Sequence, residues 1–129
     1  MTVAYIDSSA AIKRIFAEPE SAAFGRWADR DDIDLVSTHL LETELRRAAH
    51  RGGQPQSAVT EVLARIAIYD IPPSLFTEAG LLLPGSPLRS LDAIHLAAAL
   101  RLGVDVIATY DHRLAEAAHQ LGLEVIAPA

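Results

Sequence analysis

The sequence predicts an α/β fold of three layers, a central parallel sheet with helices on both faces, in a single domain over residues 1–129. Three observations carry that prediction. Short apolar runs of strand length alternate with stretches of helical periodicity along the whole chain, the pattern that produces parallel sheets covered by helices. Several periodic stretches begin at Asp, Ser or Pro and stop at Gly, the punctuation of helix ends. The chain has 129 residues, half of them hydrophobic, which suffices for one buried core and is too short for two.

Taken in order, Thr2–Ile6 (TVAYI) reads as a buried strand running into Asp7-Ser8-Ser9, a helix-start signal, with apolar residues at helical spacing over 10–17. Pro19 opens a second helix through Trp27, and 34–37 is a short strand. A helix follows from Thr38 to about Arg51 and stops at Gly52-Gly53. Residues 55–68 form an amphipathic helix, with a strand expected at 69–71 before Pro72-Pro73. Helix 74–83 ends near Pro84-Gly85. Ser90 is placed as the cap of an Ala- and Leu-rich helix, 91–102, which stops at Gly103. Strand 104–109, helix 111–121 ending at Gly122 and strand Glu124–Ile126 complete the alternation.

Composition excludes several classes. No apolar run approaches the roughly 18 residues needed to span a bilayer. Met1 to Asp7 hold no basic segment leading into an apolar stretch, so no secretory signal is expected. Without cysteine there is neither disulfide framework nor thiolate site, compatible with a cytoplasmic protein. The net charge of −6 opposes an extended phosphate-binding surface, which is usually basic.

The informative residues are acids at strand–helix junctions, where open α/β sheets place their sites. Asp7 follows the first strand, Asp92 sits in the first turn of its helix, Asp111 follows the late strand, and Glu44 lies on the helix after the second strand. Each has a plain alternative: Asp7 and Asp111 as helix caps, Asp92 as a complement to a helix dipole. Asp92 resists it, because its helix is apolar on almost every face and a carboxylate there must be paired, hydrogen-bonded or metal-bound. No lysine occurs after Lys13, and Arg89 is the nearest cation in sequence. Carboxylates brought together repel, and a divalent cation resolves the conflict. Oxygen donors without cysteine favour Mg²⁺ or Mn²⁺, whose chemistry is phosphoryl hydrolysis by activated water.

Four segments, Tyr5-Ile6-Asp7-Ser8-Ser9-Ala10, Thr43-Glu44-Leu45-Arg46-Arg47-Ala48, Leu88-Arg89-Ser90-Leu91-Asp92-Ala93-Ile94-His95-Leu96-Ala97 and Thr109-Tyr110-Asp111-His112-Arg113-Leu114, resemble in order and spacing the signature blocks of the VapC toxins, which are PIN-domain ribonucleases. The resemblance spans nearly the whole chain and implies a PIN-like fold. It places the family's metal-binding acids on Asp7, Glu44, Asp92 and Asp111, its small hydroxyl on Ser8 and its polar residue before the last acid on Thr109. It further implies Mg²⁺- or Mn²⁺-dependent cleavage of RNA, a homodimer, and neutralisation by a VapB-type antitoxin whose tail lies over the active-site groove.

Other readings follow from single residues. Lys13, Arg14, Arg46, Arg47 and Arg51, with His50, could line an RNA path or merely be solvated helix faces. His95, three residues after Asp92, could be a ligand, although a hydrogen-bonded core histidine is the simpler reading. On the helix from Thr38, Glu42 and Glu44 point roughly 200° apart. The apolar arc of Leu40, Leu41, Leu45, Ala48 and Ala49 takes in Glu44, whereas Glu42 sits at its edge beside Arg46, four residues on, as a surface ion pair. An aspartyl-phosphate phosphatase with Asp7 as nucleophile would need a second acid where Ser9 stands, and a receiver domain would need a late lysine. A PIN-like module that binds RNA or protein without cutting is the remaining alternative.

Overall fold

The computed structural model describes residues 1–129 and places five parallel strands in one sheet. β1 (Thr2–Ile6), β2 (Ile33–Thr38), β3 (Ala67–Tyr69), β4 (Val106–Ala108) and β5 (Glu124–Ile126) lie in the order β3-β2-β1-β4-β5. The chain first winds outward from β1 through β2 to β3, then crosses back to β4 on the other side of β1. The registers that fix this are Tyr5↔Val36 with β2 and Ile6↔Ala108 with β4. Reversal of winding beside β1 splays the flanking loops apart and opens a crevice at the carboxyl ends of β1 and β4.

Alternation along β1 divides the core. Tyr5 points to one face, where it joins Leu75, Leu96, Ile107 and Leu114 beneath α5 (Pro73–Leu81), α6 (Ser90–Leu102) and α7 (His112–Gln120). Ala4 and Ile6 point to the other, with Phe24, Leu41, Leu45 and Val59 beneath α1 (Ser8–Ala11), α2 (Ser21–Ala28), α3 (His39–Arg51) and α4 (Gln56–Leu63). The result is the three-layer arrangement expected. A 3₁₀ turn at Ile12–Arg14 links α1 toward α2. No helix is long and apolar enough to cross a membrane.

Several boundaries differ from the sequence reading for local reasons. α4 ends at Leu63 and β3 occupies Ala67–Tyr69, because Val36–Thr38 of β2 pairs with that segment. The alternation of buried Ile66, exposed Ala67, half-buried Ile68 and exposed Tyr69 is a strand period, within a run too short to separate from helix. α2 starts at Ser21, not Pro19, since the Ser21 hydroxyl accepts from Glu18 N and donates to Phe16 O, closing a turn first. α5 starts one residue early, with Pro73 in its first turn. Ser90 is the first residue of α6 and Arg89 holds the cap position without a capping side chain. β4 keeps only Val106–Ala108, the part that meets Ala4–Ile6. Gly103 closes α6 in the left-handed conformation (φ 65°) that its lack of Cβ permits.

Leu96, fully buried on α6 between Asp92 and the sheet, tests this packing. Leu96→Ala should lower unfolding stability by about 2–5 kcal/mol in urea titration. A loss below about 0.5 kcal/mol, the size of an ordinary surface change, would show that α6 does not form the core described.

Candidate active site

Asp7 leaves the end of β1 in extended conformation (φ −91°, ψ 176°) and caps α1. It is 2 % exposed, and its carboxylate accepts four hydrogen bonds: from Ala10 N at 3.0 Å, from Ser9 Oγ at 2.8 and 2.9 Å to its two oxygens, and from Thr109 Oγ1 at 2.6 Å. Ser9 Oγ also accepts from Tyr110 N at 2.9 Å, and Thr109 Oγ1 accepts from Asp111 N at 3.1 Å. The ends of β1 and β4 are thus sewn together through two hydroxyls. Burial pushes the Asp7 carboxyl above its ordinary value, while the Thr109 hydrogen bond and His95 oppose the shift.

Asp111 is indeed a helix cap: its Oδ1 accepts from Arg113 N at 2.9 Å and Leu114 N at 3.0 Å. That role does not remove it from the cluster, because its charge acts on Asp92. The Asp92 carboxylate, half-buried in the first turn of α6, takes part in no hydrogen bond or ion pair. Burial first, then the carboxylates of Asp111, Asp7 and Glu44, raise its pKa to about 6 against the opposing effect of His95. Arg89 is exposed and forms no ion pair, so the nearest cation in sequence does not compensate Asp92. Glu44 projects from α3, where its Oε1 meets His95 Nε2 at 2.5 Å. Glu42 pairs instead with Arg46 at 2.9 Å across one turn of the same helix. Leu41, Leu45 and Ala49 are the buried stripe of α3, the phase the sequence implied.

The structure therefore brings Asp7, Glu44 and Asp111 near enough to Asp92 for their charges to act on it, with Thr109 hydrogen-bonded to Asp7. It does not give Ser8 the expected role. Ser8 makes no side-chain hydrogen bond, and Ser9, two residues after Asp7, supports the carboxylate in its place. The signal was available, since a hydroxyl two residues beyond an Asp at a helix start can reach back to it. Tyr5 and His95, fully buried, also join the site: Tyr5 Oη lies 2.7 Å from His95 Nδ1 and 3.2 Å from Thr38 Oγ1. His95 is the hydrogen-bonded core histidine expected.

The basic candidates separate into two groups. Lys13 pairs with Glu18 at 3.2 Å and Glu20 at 2.9 Å and covers the Tyr110 ring. Arg14 makes two bonds to Asp29, at 3.1 and 2.9 Å. Both are engaged within the protein and offer little to RNA, contrary to expectation. Arg46, Arg47, His50 and Arg51 line one groove on the outer face of α3. Arg46 is tied to Glu42, Gln56 and Thr60, which leaves Arg47 and Arg51 as its free guanidinium groups.

No three of the acidic and histidine side chains stand close enough as they are to grip one ion. The donor set nevertheless fits a hard divalent cation. Its members are all carboxylates, they repel, and Asp92 keeps both oxygens without a hydrogen bond. Mg²⁺ retains several waters and needs few protein oxygens, so full enclosure is not required.

A carboxyl whose folded-state pKa is raised binds its proton more tightly in the native state, so its contribution is favourable at low pH and is lost as pH rises. For Asp92 the loss runs from the ordinary carboxylate value up through about 6. In EDTA, Asp92→Asn should therefore melt higher than the parent at about pH 7.5, by roughly 3 °C after solvent screening, and match it at about pH 4. Equal melting at both pH values would mean that Asp92 is not electrostatically strained.

Comparison with known proteins agrees with this architecture. The model of the PIN domain family matches residues 4–120. Ribonuclease VapC46 of Mycobacterium tuberculosis is 42% identical over 132 residues, covering 100% of both chains. Ribonuclease VapC35 of the same species is 41% identical over 131 residues, covering 96% of each. Among solved structures, VapC20 of M. tuberculosis, a sarcin-ricin loop cleaving toxin, superposes with a TM-score of 0.73 at 16% identity over 97% of this chain and 99% of that one. VapBC2 from Rickettsia felis, bound to a DNA fragment from its promoter, gives a TM-score of 0.77 at 14% identity over 99% of this chain and 100% of that one. At those identities the structures speak for the fold, and the sequence matches speak for the family. With its four acids collected at the crevice beside β1, the chain belongs to the PIN-domain family, among the VapC ribonucleases.

Proposed function

We propose that the chain is a Mg²⁺- or Mn²⁺-dependent endoribonuclease, the toxin of a type II toxin–antitoxin pair, cutting RNA at the cluster of Asp7, Glu44, Asp92 and Asp111. One observation carries the reading most: the Asp92 side chain is unpartnered and held above its ordinary range by burial and then by three neighbouring carboxylates, in a chain 42% identical to a named ribonuclease along its whole length. A site built only for stability would not keep that arrangement, because it destabilises the metal-free fold.

The four carboxylates would hold the cation, which when bound supplies activated water and stabilises the leaving oxygen of a phosphodiester. The chain's own residues account for the rest. Asp7 is held rigid by Ser9, Thr109 and Ala10 N, so its carboxylate keeps one orientation. Asp111 keeps Oδ2 free because capping uses only Oδ1. Arg47 and Arg51 stand exposed on α3, the helix that carries Glu44, where they can meet backbone phosphates of the RNA.

A VapB-type antitoxin and a second copy of the chain complete the assembly in this reading. Support comes from the structural neighbours, two of them VapBC structures, including VapBC-1 from nontypeable Haemophilus influenzae. A basic antitoxin segment would find the acidic crevice attractive. A module that binds without cutting is the second reading, and the intact acid set disfavours it.

RNA cleavage under matched Mg²⁺ tests the proposal. Asp7→Asn, Asp92→Asn and Glu44→Gln should each lose activity by orders of magnitude while staying folded, whereas Glu42→Gln should be near neutral, since it removes only an exposed ion pair. EDTA should stop the parent. Undiminished cutting in EDTA, or a reversed ranking of the two glutamates, would defeat the metal site as assigned. Expression in cells should arrest growth and co-expression of the adjacent small protein should relieve it; harmless expression would favour the non-cutting module.

A further inference from the structure

Glu44 is the one acid of the cluster on a helix packed against the opposite face of the sheet from α6, and a solvated glutamate has three torsions to order. What orders it comes from the α6 side. His95 is fully buried, and its two ring nitrogens join residues of three elements. Nε2 lies 2.5 Å from Glu44 Oε1 on α3, and Nδ1 lies 2.7 Å from Tyr5 Oη on β1. Tyr5 Oη is in turn 3.2 Å from Thr38 Oγ1 at the end of β2. The ring and the phenol meet edge to face, with centroids 5.6 Å apart at 68°.

The proton count along this chain has a preferred solution. A carboxylate oxygen and a bare imidazole nitrogen cannot sit 2.5 Å apart without a proton between them, so Nε2 must carry hydrogen and donate to Glu44. The ring's other nitrogen, Nδ1, is hydrogen-bonded to the Tyr5 hydroxyl, which holds the imidazole from its far side. Every buried side-chain nitrogen and oxygen has a partner, and the chain of hydrogen bonds holds only Oε1 of Glu44.

We propose that His95, oriented by Tyr5, is the positioning residue for Glu44: it fixes the carboxylate through Oε1 and leaves Oε2 for the cation, and is not itself a ligand. This rests on the assignment of Glu44 to the metal cluster. It also explains why the core of an apolar helix holds an imidazole three residues from Asp92. A leucine there would fill the space and leave Glu44 free to swing.

The test uses His95→Leu, His95→Gln, Tyr5→Phe and Glu44→Gln, with Mn²⁺ affinity by electron paramagnetic resonance and RNA cleavage read side by side. Far-ultraviolet circular dichroism checks that each is folded. His95→Leu should weaken Mn²⁺ binding and lower kcat by roughly 10–100-fold, the usual effect of losing the partner that orients a metal-binding group, with KM for RNA unchanged. His95→Gln, whose amide can donate to Glu44, should recover most of that loss, and Tyr5→Phe should fall between. In a Glu44→Gln background, His95→Leu should add nothing further, because the two act as one unit. Unchanged Mn²⁺ affinity and kcat in a folded His95→Leu protein, or a full additional loss on top of Glu44→Gln, would overturn the proposal. If Glu44→Gln by itself leaves binding and cleavage intact, the premise about Glu44 fails first, and that result is distinguishable from either of the others. Should His95→Leu not fold, Tyr5→Phe decides: no change in Mn²⁺ affinity there overturns the relay.

Discussion

Crowding of like charge at the carboxyl ends of β1 and β4 is the constraint to which the rest of the site answers. Asp7, Asp111 and Glu44 come from separate elements and their charges converge on Asp92, yet no arginine or lysine neutralises it. Removal of a carboxylate from water is costly, and mutual repulsion adds to it. The protein tolerates this by two means. Asp7, the deepest, is saturated with donors from Ser9, Thr109 and Ala10, while Asp92, the strained one, remains half in solvent.

The sheet topology makes the crowding possible. Because β1 is central and the winding reverses beside it, residues after β1 and β4 must share one crevice, and α6 delivers Asp92 to it by burying Leu96 and three consecutive alanines among the sheet, α5 and α7. Small side chains at Ala97, Ala98 and Ala99 let that helix approach closely. Across the sheet, α3 buries Leu41, Leu45 and Ala49, which fixes the rotation that turns Glu44 inward and Glu42 outward toward Arg46. Packing energetics thus set the geometry of the acids, and the acids in turn weaken the metal-free fold. The net charge of −6 follows the same logic: part of it is the acidic cluster, which a bound cation would offset.

Much of this was legible in the amino-acid sequence, because it rests on local signals. Asp7 and Asp111 stand where strand periodicity gives way to helix, and the phase of α3 follows from its apolar arc. The sequence places 64–68 in a helix and the strand at 69–71, since a short apolar run satisfies helix and strand alike until β2 supplies a hydrogen-bonding partner. Ser9 was passed over for Ser8 because the choice depends on which hydroxyl the first turn of α1 aims back at Asp7, a matter of backbone angle. Lys13 and Arg14 looked free in sequence and are held by Glu18, Glu20 and Asp29, acids whose proximity only the folded chain creates. The link from Tyr5 through His95 to Glu44 spans 90 and 51 residues of sequence separation, beyond the reach of any local pattern.

Proton release on cation binding tests the central claim most directly, since a strained carboxyl must give up its proton when a metal takes its place. Calorimetric titration of Mg²⁺ or Mn²⁺ in two buffers of different ionisation enthalpy measures that release. With Asp92 titrating near 6, binding should expel a substantial fraction of a proton at about pH 6 and almost none at about pH 8. The release should vanish in Asp92→Asn. Binding without proton release at the lower pH, or no binding to the parent at all, would contradict the account of four crowded carboxylates awaiting a cation.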